Sequence, residues 1–323
     1  MKDMRLRYGI LATLCLLLLA LLPASCIQDE YAAKEKATVT VTFTTRADGG
    51  TTVVGDELED NERMKTLRVI VSNGNDILYN VYYTDFETDG DGRYYKTITF
   101  SELTVNKKGE DFDFYAIANE EGIAGWPTQI TSLEQLPENI TLSTSSDLIP
   151  QTAKATITVV PQQDGGIQSA TIPLQFAVAK VRLTINNTST ESQTVSGIEL
   201  SGVNTTSTNL FGGTSVTSTV TGEALSLGSM NNIPVENNGT PGKSTVKAYF
   251  YENTKGVYKL TATWEGHGPQ NLDINTAVTP NITEIPRGKM LDINVNLSVN
   301  TEPTVNVQVV SWTTKEMDVP AFQ

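Results

Sequence analysis

Residues 37–45 alternate without a break: Val39, Val41 and Phe43 fall on one face and Thr38, Thr40, Thr42 and Thr44 on the other. Successive side chains of a strand point to opposite faces, so a period of two predicts a half-buried strand. Residues 66–71 and 77–83 have the same character, and the turn Asn73, Gly74, Asn75, Asp76 between them predicts a hairpin. A Gly-rich turn at 89–92 leads into a further strand at 94–100. Residues 112–119 form an apolar run suited to an interior strand, and Ser132 and Gln135 have capping-box spacing for a short helix over 132–136. Residues 152–160 alternate again and stop at 161–166, where Pro, Asp and Gly give the clearest boundary in mid-chain. A second strand-rich block begins at Ile172, with strands predicted at 176–185, 195–200, 245–251, 258–264 and 290–299. Nothing in the chain has a long helical period. Short strands separated by Gly and Asn turns predict an all-β protein of two β-sandwich domains in series.

Both ends carry strands. After a polar break at 300–303, Val305, Val307 and Val309 repeat at a period of two, and a second apolar piece follows at 317–322. The tail therefore resembles 38–44 in pattern, at the opposite end of the chain. The first strand stops at Arg46, before Ala47, Asp48 and two glycines, a stretch that a protease can draw into extended form. A solvated Arg at a strand end has the same appearance, and charge pattern alone favours that plainer reading. Loss of the strand bearing Val39, Val41 and Phe43 would open an apolar groove flanked by unpaired backbone groups, which invites a replacement strand. The tail could supply it from another copy or fold back on its own domain. Head-to-tail donation does not close on itself, so it grows a filament.

The start of the chain says where it goes. Lys2, Arg5 and Arg7 precede an apolar run at 10–22 of about 13 residues, short of the about 20 that cross a bilayer. Pro23, Ala24, Ser25 and Cys26 follow, so 1–25 reads as a secretory signal. A Cys after small residues resembles a bacterial lipoprotein signal, with Cys26 as the acylated residue, although Pro23 stands where an aliphatic residue is usual. The acidic stretch after it resembles the signal that sends lipoproteins of some Gram-negative anaerobes to the outer face of the outer membrane. The division expected is signal peptide 1–25, lipidated propeptide 26–46, domains 47–168 and 169–299, and tail 300–323.

Composition narrows the function. Lys plus Arg number 23 against 37 Asp plus Glu, a net charge of -14, which leaves no basic footprint for nucleic acid. Two Cys and one His remove disulfide scaffolds, multi-His metal centres and Cys-His dyads together. Asp85, Glu87, Asp89 and Asp91 suggest a calcium loop, but the twelfth position is Lys96, where a bidentate carboxylate is required. No cofactor, metal or catalytic residue is assigned, and an enzyme is not expected. A surface glycan-binding lipoprotein is the alternative, resting on Trp126, Trp264, Trp312, Tyr79, Tyr82 and Tyr83, although aromatics at strand spacing usually pack in cores.

Several residues together resemble the FimA-type fimbrillins that build type V pili. In the first half these are Cys26, the strand ending Thr45, Arg46, Ala47, the strand 67–71, and 115–120 (Tyr-Ala-Ile-Ala-Asn-Glu). In the second they are 178–181 (Val-Ala-Lys-Val) and 249–253 (Tyr-Phe-Tyr-Glu-Asn). Phe176 and the segment 287–291 depart from the pattern. The resemblance implies two transthyretin-like sandwiches and a strand-donating tail. It also implies a precursor acylated (palmitate) at Cys26, held at the outer membrane and cut between Arg46 and Ala47 by an Arg-specific surface protease. Donation from Val305, Val307 and Val309 to copies of itself and other pilus subunits would then build an adhesive fimbrium at the cell surface. A stalk subunit is expected rather than a tip adhesin.

Overall fold

The computed structural model describes residues 34–45, 58–89, 93–161, 167–212, 223–235, 237, 240–252, 256–264, 270–273, 282–298 and 301–311. Nearly all regular structure among them is β, with only three single-turn 3-10 helices. Cys26, Arg46, Ala47, His267, Trp312 and the apolar piece 317–322 lie outside the described residues.

Strands β1 (Glu35–Thr44), β2 (Leu67–Asn73), β3 (Asp76–Tyr83), β4 (Glu87–Thr88), β5 (Tyr94–Val105) and β6 (Glu110–Ala118) come first. They are followed by β7 (Asn139–Ile140), β8 (Gln151–Val159), β9 (Gln168–Pro173) and β10 (Gln175–Phe176). One four-stranded sheet has the order β4-β5-β1-β9, and a five-stranded sheet has the order β10-β8-β6-β2-β3. The expected hairpin forms: Asn73 faces Asp76 across a two-residue loop, and Gly74 takes a φ of 58°, which Gly adopts without steric cost. The short helix also forms, as Leu133–Gln135 capped by Ser132 with Gln135 returning the bond. β6 is interior, and its last five residues, 114–118, are all buried.

Then come β11 (Ala179–Asn187), β12 (Gln193–Ser201), β13 (Thr208–Asn209), β14 (Leu225–Ile233), β15 (Gly242–Phe250), β16 (Lys259–Trp264), β17 (Gln270–Asp273), β18 (Lys289–Ser298) and β19 (Thr301–Ser311). Sheets β15-β11-β18-β19 and β14-β12-β16-β17 share one core, in which Leu183, Ile198, Tyr258, Leu291 and Ile293 are almost wholly buried. This is a sandwich. β11 and β18 run parallel inside an otherwise antiparallel sheet, Val181 facing Leu291 and Ile185 facing Val295.

By internal contacts the chain divides into two compact units. One contains β1 up to Val41 with Ile98–Phe112 and Ile157–Ala170; the other contains Thr42–Thr97, Asp113–Thr156 and the chain from Thr171 onward.

Two expectations change. The run 176–185, read as one strand, is broken: Phe176 pairs with Gln151 in the five-stranded sheet, whereas Ala179 pairs with Phe250 in another. Between them the Ala177 N–H donates to Pro150 and the Val178 carbonyl accepts from Gly288. Both sheets bury their strands here, so no polar residue marks the change. The strand β14 carries no alternation in sequence, because its buried residues Leu227, Met230 and Ile233 are spaced by three.

Candidate assembly site

β1 is held like a core element. Flanked by β5 and β9, it buries Ala37, Val39, Val41 and Phe43, the last three with no exposure at all. The threonine face is half-buried, and two of its hydroxyls meet hydroxyls of β5 at 3.0 Å, Thr40 with Thr99 and Thr42 with Thr97. Thr45 closes the end: its N–H donates to the Tyr94 carbonyl at 3.0 Å, and its Oγ1 accepts the Tyr94 N–H at 3.1 Å. The Thr44 carbonyl accepts from Leu174 at 2.8 Å, and Lys36 forms an exposed ion pair with Glu102.

At the other end of the chain, β19 is the last strand of its sheet and, among the described strands, pairs only with β18. Val305 faces Val295, Val307 faces Ile293 and Val309 faces Leu291. Val307 is buried, whereas Val305 and Val309 are half-buried against the same core. The polar face is also engaged: Asn296 Nδ2 donates to Thr304 at 3.3 Å, and Gln308 Nε2 donates at 3.2 Å to Asp292. Asp292 has no exposure and holds Arg182 through both carboxylate oxygens, at 2.9 and 3.0 Å. Within this single chain, β19 lies back on the sheet of its own sandwich.

Other residues singled out in the sequence have structural occupations. Asp85 pairs with Lys96, the Tyr95 hydroxyl donates to Glu87 at 3.0 Å, and Asp89 accepts the Arg93 N–H at 2.9 Å. Those carboxylates brace a hairpin. Trp264 is buried in the second core, and Trp126 packs half-buried beside Ile70 and Ile117. Tyr82 lies under the Arg68 guanidinium and donates to Glu121; burial and that carboxylate push its pKa up to about 12.

The segments that carried the resemblance contain buried polar fasteners, which sequence reasoning noted without a role. Asn119 takes a left-handed φ of 55° and donates through Nδ2 to the Arg63 and Ile149 carbonyls at 2.9 and 3.0 Å. Its neighbour Glu120 accepts both Nε and Nη2 of Arg68, at 2.6 and 2.7 Å. Lys180 is buried against Glu62, which also accepts the Tyr249 hydroxyl at 2.9 Å. Burial, together with the Glu62 carboxylate, holds the Tyr249 phenol well above its ordinary range. Tyr251 accepts the Leu142 N–H at 2.7 Å, and Glu252 accepts the buried Arg287 Nη2 at 2.6 Å. Arg287, noted as a departure from the pattern, therefore belongs to the same set. The signal was visible only as charged residues inside apolar runs.

Among solved structures, a fimbrilin (FimA) from Porphyromonas gingivalis aligns over 86% of this chain and 99% of its own, with 13% identity and a TM-score of 0.51. The chain shares the fold of that protein. A fimbrial assembly protein from Parabacteroides distasonis shares it over 86% of this chain and 99% of that one, with 14% identity and a TM-score of 0.51. So does a C-terminally truncated tip fimbrial protein from P. gingivalis, over 85% and 100%, with 15% identity and a TM-score of 0.51. No protein-family model matches the sequence, and no curated protein matches it. The fold is thus shared at identities of 13% to 15%. These three solved proteins are a fimbrilin, a fimbrial assembly protein and a tip fimbrial protein.

Proposed function

We propose that the protein is a structural pilus subunit, a stalk component with domains 47–168 and 169–299, that polymerises by strand exchange once β1 is removed. The observation that carries this reading is the unequal standing of the two strands. β1 occupies an interior slot with a neighbour on each side, whereas β19 occupies the end of its sheet with a neighbour on one. A tail strand moving from its own sheet edge into a vacated β1 slot on another copy would exchange one hydrogen-bonded ladder for two. At roughly 0.5–1.5 kcal/mol net per ladder bond, an added ladder of a few bonds is worth several kcal/mol. Insertion of Val305, Val307 and Val309 into space left by Val39, Val41 and Phe43 adds roughly 1.5–3 kcal/mol each where burial increases. These gains stand against an association cost of about 4–15 kcal/mol, so donation is favourable only when the whole strand enters.

In this scheme Cys26 is acylated, the precursor is anchored in the outer membrane, and an Arg-specific surface protease cuts between Arg46 and Ala47. The mature subunit joins copies of itself and other pilus subunits in an adhesive fimbrium at the cell surface. The test is to cleave the precursor after Arg46 and look for a ladder resistant to mild detergent. The ladder is expected with the intact tail and lost when residues 304–323 are deleted; a ladder that survives the deletion rules out donation by the tail. The N-terminal residue of surface-extracted protein is expected to be Ala47. Acylated Cys26 alone would indicate a permanent lipoprotein.

A further inference from the structure

Residues 141–150 connect β7 to β8 and belong to neither strand, yet they are tied down along their length. The Leu142 N–H donates to the Tyr251 hydroxyl at 2.7 Å, the Ser143 N–H to the Gly122 carbonyl at 2.8 Å, and the Ile149 N–H to the Asn61 carbonyl at 2.9 Å. A cavity of about 670 Å³ opens beside this loop, walled by 142–143 and 146–149, by 59–61, and by Tyr249 of β15. Its walls brace one another. Asn61 Nδ2 donates to the Asp147 carbonyl and to the Tyr249 hydroxyl, each at 3.3 Å, and that hydroxyl donates to Glu62 at 2.9 Å. A ligand entering here meets surfaces already ordered, which lowers the cost of binding.

We infer that this cavity is a binding site for a neutral mono- or disaccharide. Its size falls among small-molecule sites, which run from about 300 to 1,000 Å³. Three carboxylates line it, Glu59, Asp60 and Asp147, and no Lys or Arg does, so phosphorylated, sulfated and other anionic ligands are repelled. A cation is not favoured either. Glu59 is paired with Lys247 and Asp60 with Lys65, and among the described residues no group of His, Cys, Asp or Glu is placed to hold a metal ion. What remains is uncharged hydrogen-bonding chemistry beside apolar surface. Ser146 Oγ accepts the Leu148 N–H at 3.3 Å, which leaves its own proton to donate, and the neighbouring Asp147 carboxylate has no partner among the described residues. A sugar hydroxyl donates and accepts at once, so these adjacent side chains satisfy it both ways. Leu142, Leu148 and Tyr249 supply apolar wall for the C–H face of a ring. None of these residues belongs to β1 or β19, so the site would give an adhesive subunit its ligand without entering into polymerisation.

The test is saturation-transfer difference NMR on the purified full chain, in a detergent without a sugar headgroup. The probes are galactose, mannose, fucose, N-acetylglucosamine and lactose, each titrated alone, with N-acetylneuraminic acid as the charged control. Saturable transfer to at least one neutral sugar is expected, and none to the charged one. Asp147→Ala is expected to weaken binding about tenfold, the loss of one hydrogen bond to a charged group. Ser146→Trp, which places an indole in the cavity, is expected to abolish it, both variants keeping the wild-type melting curve. Deletion of residues 304–323 is expected to leave sugar binding intact, so failure of tail donation and failure of this site are separable. No transfer to any of the neutral sugars, binding that survives Ser146→Trp, or equal binding of N-acetylneuraminic acid would each overturn the inference.

Discussion

The Glu62–Lys180 pair joins residues 118 positions apart with almost no access to water, side chains being 1% and 5% exposed. Removing one member leaves a bare charge inside the protein, which costs about 3–5 kcal/mol, whereas replacing both by apolar side chains of similar volume is often neutral. Lys180→Met is therefore expected to lower unfolding free energy by about that amount in urea, and Glu62→Leu with Lys180→Met by much less. An additive double variant would show that the pair is not coupled. The tyrosines make a prediction for alkaline pH. Burial first, then nearby carboxylates, raise the pKa values of Tyr249, Tyr258 and Tyr82 above the ordinary 10.0. The folded state keeps these protons while the unfolded chain releases them near pH 10, so their contribution is full below that pH and declines as pH rises through it. Melting temperatures by circular dichroism are expected to hold up to about pH 10 and fall beyond it, less steeply in Tyr249→Phe.

At the scale of the element, β14 explains why one strand was illegible. Against β12 its register slips three times: near Asn232, near Gly197 on the partner, and near Gly228. Those residues have φ of 54°, 57° and 77°, and each slip inserts one residue on one strand, as a β-bulge does. Each bulge resets the alternation, so the buried residues are spaced by three and the pattern of two is lost. By contrast β1 has no residue out of phase, and its face could be read directly. Glycines report the same difference. A Cβ at Gly228 would meet nothing within 4 Å, so Gly228→Ala is expected to cost only the left-handed backbone strain, about 1–2 kcal/mol. At Gly202 it would lie 2.1 Å from the Val257 carbonyl oxygen, so Gly202→Ala is expected to be far more destabilising in the same urea titration. Equal effects would mean that backbone strain alone decides both sites. The break between β10 and β11 was hidden for another reason: both sides are apolar, and only the pairing partners differ.

For the molecule as a whole, β1 is the strand whose removal should be felt most. Chain cleaved after Arg46 and kept dilute is expected to melt at lower temperature than the precursor. A peptide of residues 35–44 added in trans should restore the melting temperature, and the same peptide with Val41→Asp should not. Restoration by both peptides would remove the argument from inward packing. How much of this the sequence determined by itself follows from what kind of information each feature needs. Alternation of Val and Thr and turn residues such as Asn73 and Gly74 are local, so the all-β class and the main strands were legible. Which strands share a sheet, that β11 runs parallel to β18, that Lys180 finds Glu62, and that β19 lies on β18 are matters of pairing between distant segments. Such pairings depend on which surfaces meet, and one apolar face satisfies many partners equally until the buried polar groups and the sheet registers select among them. Only the tertiary structure made that selection.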